Sequence, residues 1–225
     1  MKDHCLELVR KQSDPSVKYN VMREYAQAYV LKLMQEAGAL QSYAFLGGTA
    51  LRFLYDLPRF SEDLDFSLSR PAALSFVDLM TRIKKDLALA GYSAGVSYND
   101  EKTVHSAFIK FEGLMFEAGL SPMKSQKFSI KIDVDTRPPQ GAVGSQRHVH
   151  GADGLLVLQD VADDGGVGVG PDPELGELEG VGPVGLEEVA QALDDRDRGV
   201  ELVAGDFEER GLELVGLDEP GVRLA

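Results

Sequence analysis

Tryptophan is absent from this 225-residue chain, and cysteine occurs once, at Cys5. A single thiol cannot close an internal disulfide, which excludes the stapled secreted folds and makes a reducing, cytoplasmic compartment the expectation. Long apolar runs are also missing. Nothing approaches the ~20 residues needed to span a bilayer, so no membrane partner is expected. The N-terminal MKDHCLELVRKQSD lacks the apolar centre of a signal peptide. The length suffices for one large domain or two small ones with a buried core.

Other absences are local. Every Lys, Tyr, Met and Asn lies at or before Lys131, and Phe207 is the only aromatic beyond it. The formal charge of −14 divides at the same place: residues 1–131 hold 17 Lys+Arg against 15 Asp+Glu, and residues 132–225 hold 6 against 22. The first part has the composition of a folded α/β domain, whereas the second reads as an acidic, Gly-rich tail.

Within the first part, Val21, Met22, Tyr25, Tyr29, Leu33 and Met34 recur at helical spacing and predict a helix from about Val17 to Ala39. A short strand, 42–46, enters a Gly47-Gly48 turn, and a two-turn helix over 49–55 stops before Pro58. The strand 63–68 follows, then a helix over about 72–90 and strands over 92–98, 104–112 and 127–134. Interleaved strands and helices predict an α/β (α+β) domain with a small mixed sheet over 17–137. Residues 138–225 are expected to be a disordered tail, with short helices possible only over 185–193 and 207–214.

The segment Phe45–Leu68, FLGGTALRFLYDLPRFSEDLDFSL, carries the chemistry. Alternate strand residues point the same way, so Asp63 and Asp65 share a face and can grip one cation. A Gly pair lets main-chain N–H groups approach a phosphate. A third acid, Asp133, sits in the apolar strand KFSIKIDV, where a carboxylate is costly without a partner or a cation. Three such carboxylates repel one another, and Mg²⁺, which favours hard oxygen ligands and substrate phosphates, would relieve that repulsion. Two ions about 3.5–4 Å apart could stabilise the attacking and leaving oxygens of an in-line displacement. Asp135 shares the face of Asp133 and could take its place.

The arrangement G-G-x(14)-D-x-D followed by a strand with a third acid resembles the DNA-polymerase-β-like nucleotidyltransferases. GGTALR, RFSEDLDF and IKIDV together resemble the AbiEii/AbiGii toxin family of nucleotidyltransferases. The likeness covers roughly residues 17–140 and implies a minimal nucleotidyltransferase fold. Position by position it implies that Gly47, Gly48 and Thr49 bind the triphosphate. Asp63, Asp65 and Asp133 would be the metal-holding, catalytic acids. Lys131 would neutralise phosphate or pyrophosphate, and Arg59 and Ser61 would be further nucleotide contacts. It implies Mg²⁺ as cofactor, an NTP as substrate, an RNA end such as tRNA as acceptor, and a cognate antitoxin as partner.

Plainer roles stand beside these. Gly47-Gly48 could be an ordinary tight turn, Lys131 a solvated lysine, and Arg59 the partner of Glu62 or Asp63. Arg82, Lys84 and Lys85 read as a solvated helix face, with RNA contact the lesser alternative. His148-Val149-His150 has no third ligand at a recognisable spacing. No Ser-His-Asp or Cys-His arrangement stands out, and the Gly-rich run after 164 does not open a helix as a dinucleotide loop must.

After the third-acid strand, the helical half usual in the family has no counterpart. No lysine follows Lys131, and Asp195-Arg196-Asp197-Arg198 lies in unlike surroundings. The abrupt change between about Gly141 and Gly151 suggests a shift of reading frame. Translating the coding DNA in the other frames tests this, and the idea fails if none continues the helical half. Two rival functions follow from the departure: an NTP-binding protein without transfer activity, and an inactive truncated remnant.

Overall fold

A computed structural model describes residues 1–55, 57–137, 143–151 and 154–162. Its elements run α1 (Lys2–Lys11), α2 (Pro15–Glu36), a 3₁₀ turn (Ala39–Gln41), β1 (Tyr43–Leu46), α3 (Gly47–Tyr55), β2 (Leu64–Leu68), α4 (Phe76–Leu89), β3 (Ala94–Asn99), β4 (Val104–Phe111), α5 (Leu114–Glu117), β5 (Phe128–Asp135), β6 (Val143–Gly151) and β7 (Gly154–Ala162). The strands form one sheet in the order β3-β4-β5-β2-β1-β7-β6. The sheet is mixed: β2 lies parallel to β5 and β1 parallel to β7, and the other neighbours are antiparallel.

Period-two alternation decides which side of the sheet is buried. In β5, Phe128, Ile130, Ile132 and Val134 are buried, while Lys131, Asp133 and Asp135 face the other way and are only partly covered. In β2, Leu64 and Phe66 are buried opposite Asp65. Helix α2 lies across the apolar side, with Tyr19 packed edge-on to Phe128 and Tyr29 beside Tyr92. Its N-terminus is set by Asp14, whose carboxylate accepts from the Ser16 and Val17 amides, and by Pro15. Gly38, at φ +75, follows its end.

The helix expected over 17–39 is therefore Pro15–Glu36, and the one expected over 72–90 starts at Phe76, where Ser75 caps it. Asp63 lies just before β2 rather than inside it. Four elements have no counterpart in the sequence reading. Helix α1 buries Cys5, Leu6, Leu8 and Val9 in the core, and α5 is a single turn. The hairpin β6–β7, joined through the Gly151–Gly154 pair, adds two strands to the β1 edge within the stretch read as a tail. Residues 163–225, which include the candidate short helices and the Asp195–Arg198 run, lie outside the described residues. No helix among the described residues is long and apolar enough to cross a membrane.

Candidate active site

The Gly-Gly turn and the acid strand are built against each other. Leu46, the last residue of β1, is paired with Asp65 of β2, and the chain then turns at Gly47 with φ +80. A Cβ at Gly47 would fall 2.4 Å from Asp65 Oδ2, and one at Gly48 would fall 2.8 Å from Ser61 Oγ. Only glycine admits this contact. Gly47, Gly48 and Thr49 form the first turn of α3, where main-chain N–H groups have no acceptor within the helix. The Thr49 hydroxyl is committed elsewhere, donating to the Asp63 carbonyl at 2.5 Å. Thr49 therefore offers a phosphate its amide but not its side chain.

The parallel pairing of β2 with β5 sets Asp65 level with Asp133. Asp65 is pushed above the usual carboxylate range, first by burial and then by the charges of Asp63 and Asp133, with Lys131 opposing. Asp133 Oδ2 is paired with Lys131 Nζ at 2.5 Å, while its Oδ1 is buried without a hydrogen-bond partner. Lys131 is held above its ordinary value, chiefly by that bond to Asp133, with Asp63 and Asp65 adding to it. Asp135 lies level with Ser67 and accepts from the Arg137 amide at 2.9 Å. Of the two acids on this face of β5, Asp133 is the one beside Asp65.

Among the described residues, no three His, Cys, Asp or Glu side chains are grouped as a ready-made metal site. The donor set nonetheless suits a hard divalent cation: Asp63 and Asp133 both act on Asp65, and Asp133 keeps one buried oxygen without a donor. Among the described residues, Lys131 acts on Asp65 and relieves part of that repulsion.

Helix α2 supports the acids from behind. Gln27, 1% exposed, donates through Nε2 to the carbonyls of Ser61 and Glu62 at 3.1 and 3.0 Å. With Thr49 on Asp63, three successive carbonyls leading into β2 are fixed by buried side chains. Arg23 pairs with Glu62 at 2.7 Å, so the Glu62 partner left open in the sequence is Arg23 and not Arg59, which is exposed. Arg52 of the GGTALR string is buried. It pairs with Glu24, donates to the Leu57 carbonyl at 2.9 Å and lies 4.0 Å over the Phe60 ring. Burial pushes the Glu24 carboxyl up and Arg52 pulls it back. Breaking such a pair typically costs about 3–5 kcal/mol, because the survivor is left charged and buried.

The sequence reasoning missed Arg23, Glu24, Gln27 and Arg52. For the first three the signal was a set of polar residues within the stretch of α2 whose neighbours are all buried; Arg52 lies in α3, within the GGTALR string. The Arg82, Lys84 and Lys85 cluster is exposed on α4, with Arg82 bonded to the Glu36 carbonyl and near Asp86, as a solvated face would be.

Two solved structures are similar over part of the chain. JHP933 from Helicobacter pylori is 20% identical, with 56% of this chain and 48% of that one covered at a TM-score of 0.36. A second H. pylori chain, whose nucleotidyltransferase activity is itself only proposed, is 22% identical, with 52% and 49% covered at 0.31. This chain thus spans about half the length of each. No curated protein matches it. The profile of the nucleotidyl transferase AbiEii toxins of type IV toxin–antitoxin systems matches residues 31–154, from the last third of α2 to the first residue of β7. More than half of the chain lies inside that match, and the protein accordingly belongs to the AbiEii toxin family.

Proposed function

We propose that this chain transfers a nucleoside monophosphate from an NTP to an acceptor hydroxyl, releasing pyrophosphate. The observation that carries the reading is the Asp65–Asp133 pairing, with Asp63 close enough to raise Asp65 and with Asp133 Oδ1 lacking a donor. The amides of Gly47, Gly48 and Thr49 hold the triphosphate at the start of α3. Asp63, Asp65 and Asp133 would hold Mg²⁺, which when bound supplies charge neutralisation on the transferring phosphoryl group and the leaving pyrophosphate. Asp133 takes the proton of the attacking hydroxyl. Lys131, released from Asp133, neutralises phosphate, and Arg59 and Ser61 lie on the loop flanking the triphosphate. Family membership supports an RNA end, such as that of tRNA, as acceptor, a cognate antitoxin as partner, growth arrest as outcome and the cytoplasm as the place of action. A reading-frame shift between about Gly141 and Gly151 rests on the change of composition alone, since the family match continues through that window to residue 154.

The test is incubation with each α-labelled NTP, Mg²⁺ and total tRNA, comparing the native chain with Asp63→Ala/Asp65→Ala. Label on RNA that disappears with the double variant is expected. Equal labelling by both chains removes the acid pair from the mechanism. NTP binding without labelling identifies a nucleotide-holding protein, and loss of both NTP binding and cooperative unfolding identifies an inactive remnant.

A further inference from the structure

We propose that the open face of β4, centred on Phe108 and Lys110, receives the single-stranded end of the acceptor RNA, with Phe108 stacking on a terminal base; the assignment rests on the transfer reading above. In β4 the alternation VHSAFIKF buries Ala107, Ile109 and Phe111 and turns Val104, Ser106, Phe108 and Lys110 to the side that carries the acids. Register places Ser106 beside Asp133 and Phe108 beside Lys131. Phe108 is 39% exposed, with Lys110 Nζ 6.0 Å from its ring centroid. On the far side the face drops to Ser97 opposite Phe108 and Gly95 opposite Lys110, which leaves a low shelf beside the ring.

The order of the strands says what belongs there. The phosphate turn follows β1, the acids stand on β2 and β5, and β4 comes next. In-line displacement requires the attacking hydroxyl to approach opposite the departing pyrophosphate. With pyrophosphate held at the β1 end, the acceptor approaches over β5 and β4, where the ring stands beside the Lys110 ammonium and across the strand pair from Lys131. An aromatic ring flanked by cations is the way proteins hold single-stranded nucleic acid, the ring taking a base and the cations the backbone. An apolar protein partner fits less well, because Val104 and Phe108 are the only large exposed apolar residues on the described part of this face.

Because the chain contains no tryptophan, Phe108→Trp introduces a sole tryptophan, excited selectively over the tyrosines, and Leu89→Trp, at an exposed position on α4, serves as the remote control. A short single-stranded oligoadenylate, with Mg²⁺ present, is expected to quench the Phe108→Trp chain and not the Leu89→Trp chain. Binding of the same labelled oligomer, read by anisotropy, should weaken about tenfold or more in Phe108→Ala, with ATP affinity unchanged. Equal quenching of both reporters, quenching of Phe108→Trp by ATP alone, or unchanged oligomer affinity in Phe108→Ala would overturn the assignment. Oligomer binding at this ring by a chain that transfers no label would refute the transferase reading and leave the surface standing. Label transfer with an acceptor KM unaffected by Phe108→Ala would do the reverse.

Discussion

Gly47→Ala puts the contact between turn and acid strand under direct strain. An alanine at φ +80 carries a left-handed conformational cost of about 1–2 kcal/mol. Gly38, at φ +75 with nothing within 4 Å of an added Cβ, carries the same cost without a collision, so Gly38→Ala is the matched control. At Gly47 the new Cβ meets Asp65 Oδ2 at 2.4 Å and also Asp65 Cβ and Cγ at 3.2 Å. Rotating the carboxylate relieves the first contact but leaves the Cβ contact, so β2 itself must shift or Asp65 must leave its place level with Asp133. For a chain of this size each kcal/mol lowers Tm by about 2–4 °C. Both variants should therefore melt a few degrees early in a thermal scan. Only Gly47→Ala should lose transfer, by about 100-fold for a displacement near 1 Å, together with Mg²⁺ affinity. Equal transfer rates for the two variants would refute the idea that the turn holds the acid in place.

Gln27→Leu keeps the volume of a buried side chain while stripping the donors from the Ser61 and Glu62 carbonyls. At about 1–3 kcal/mol for each orphaned group, urea unfolding should show a loss of roughly 2–6 kcal/mol, and the residual folded enzyme should need more Mg²⁺; a variant as stable as the native chain would show that water replaces the clamp. Asp65→Asn should trade activity for stability. Because the folded carboxyl sits above its ordinary value of 3.8, Asp65 destabilises the fold at neutral pH, and that penalty fades as pH falls through the folded value. Thermal scans should find Asp65→Asn more stable than the native chain near pH 7, with the gap closing below about pH 4, and should find that Mg²⁺ stabilises only the native chain; a native chain more stable at neutral pH would contradict the repulsion.

What the sequence disclosed was chemistry confined to short spacings. Gly47-Gly48, Asp63-x-Asp65 and the acid within KFSIKIDV announce themselves because a phosphate turn and an alternating strand each need fixed residue types a few positions apart. Strand alternation alone placed Lys131, Asp133 and Asp135 on one face, and the structure keeps them there. The register that chose Asp133 over Asp135 was not legible, since it depends on how β5 slides against β2. Nor was the clamp by Gln27 and Thr49, whose bonds go to main-chain carbonyls that leave no mark on residue identity. The resemblance implies a phosphate contact for the Thr49 amide, and nothing in the sequence marked its hydroxyl as bonded to the Asp63 backbone. Helix α1 was passed over because its ten residues alternate charged and apolar types too briefly to declare a partner. The β6–β7 hairpin was hidden by glycines that mark its ends rather than the end of order.

The parallel alignment of β2 and β5 also governs timing. Parallel neighbours cannot be joined by a tight turn, and here α4, β3, β4 and α5 must all be synthesised before Asp133 leaves the ribosome. A nascent polypeptide therefore displays the first two acids long before the third, and the slow, long-range β2–β5 association must wait for β5. Products ending ahead of β5 lack Asp133 altogether, so the three acids can meet only after five of the seven strands have been made.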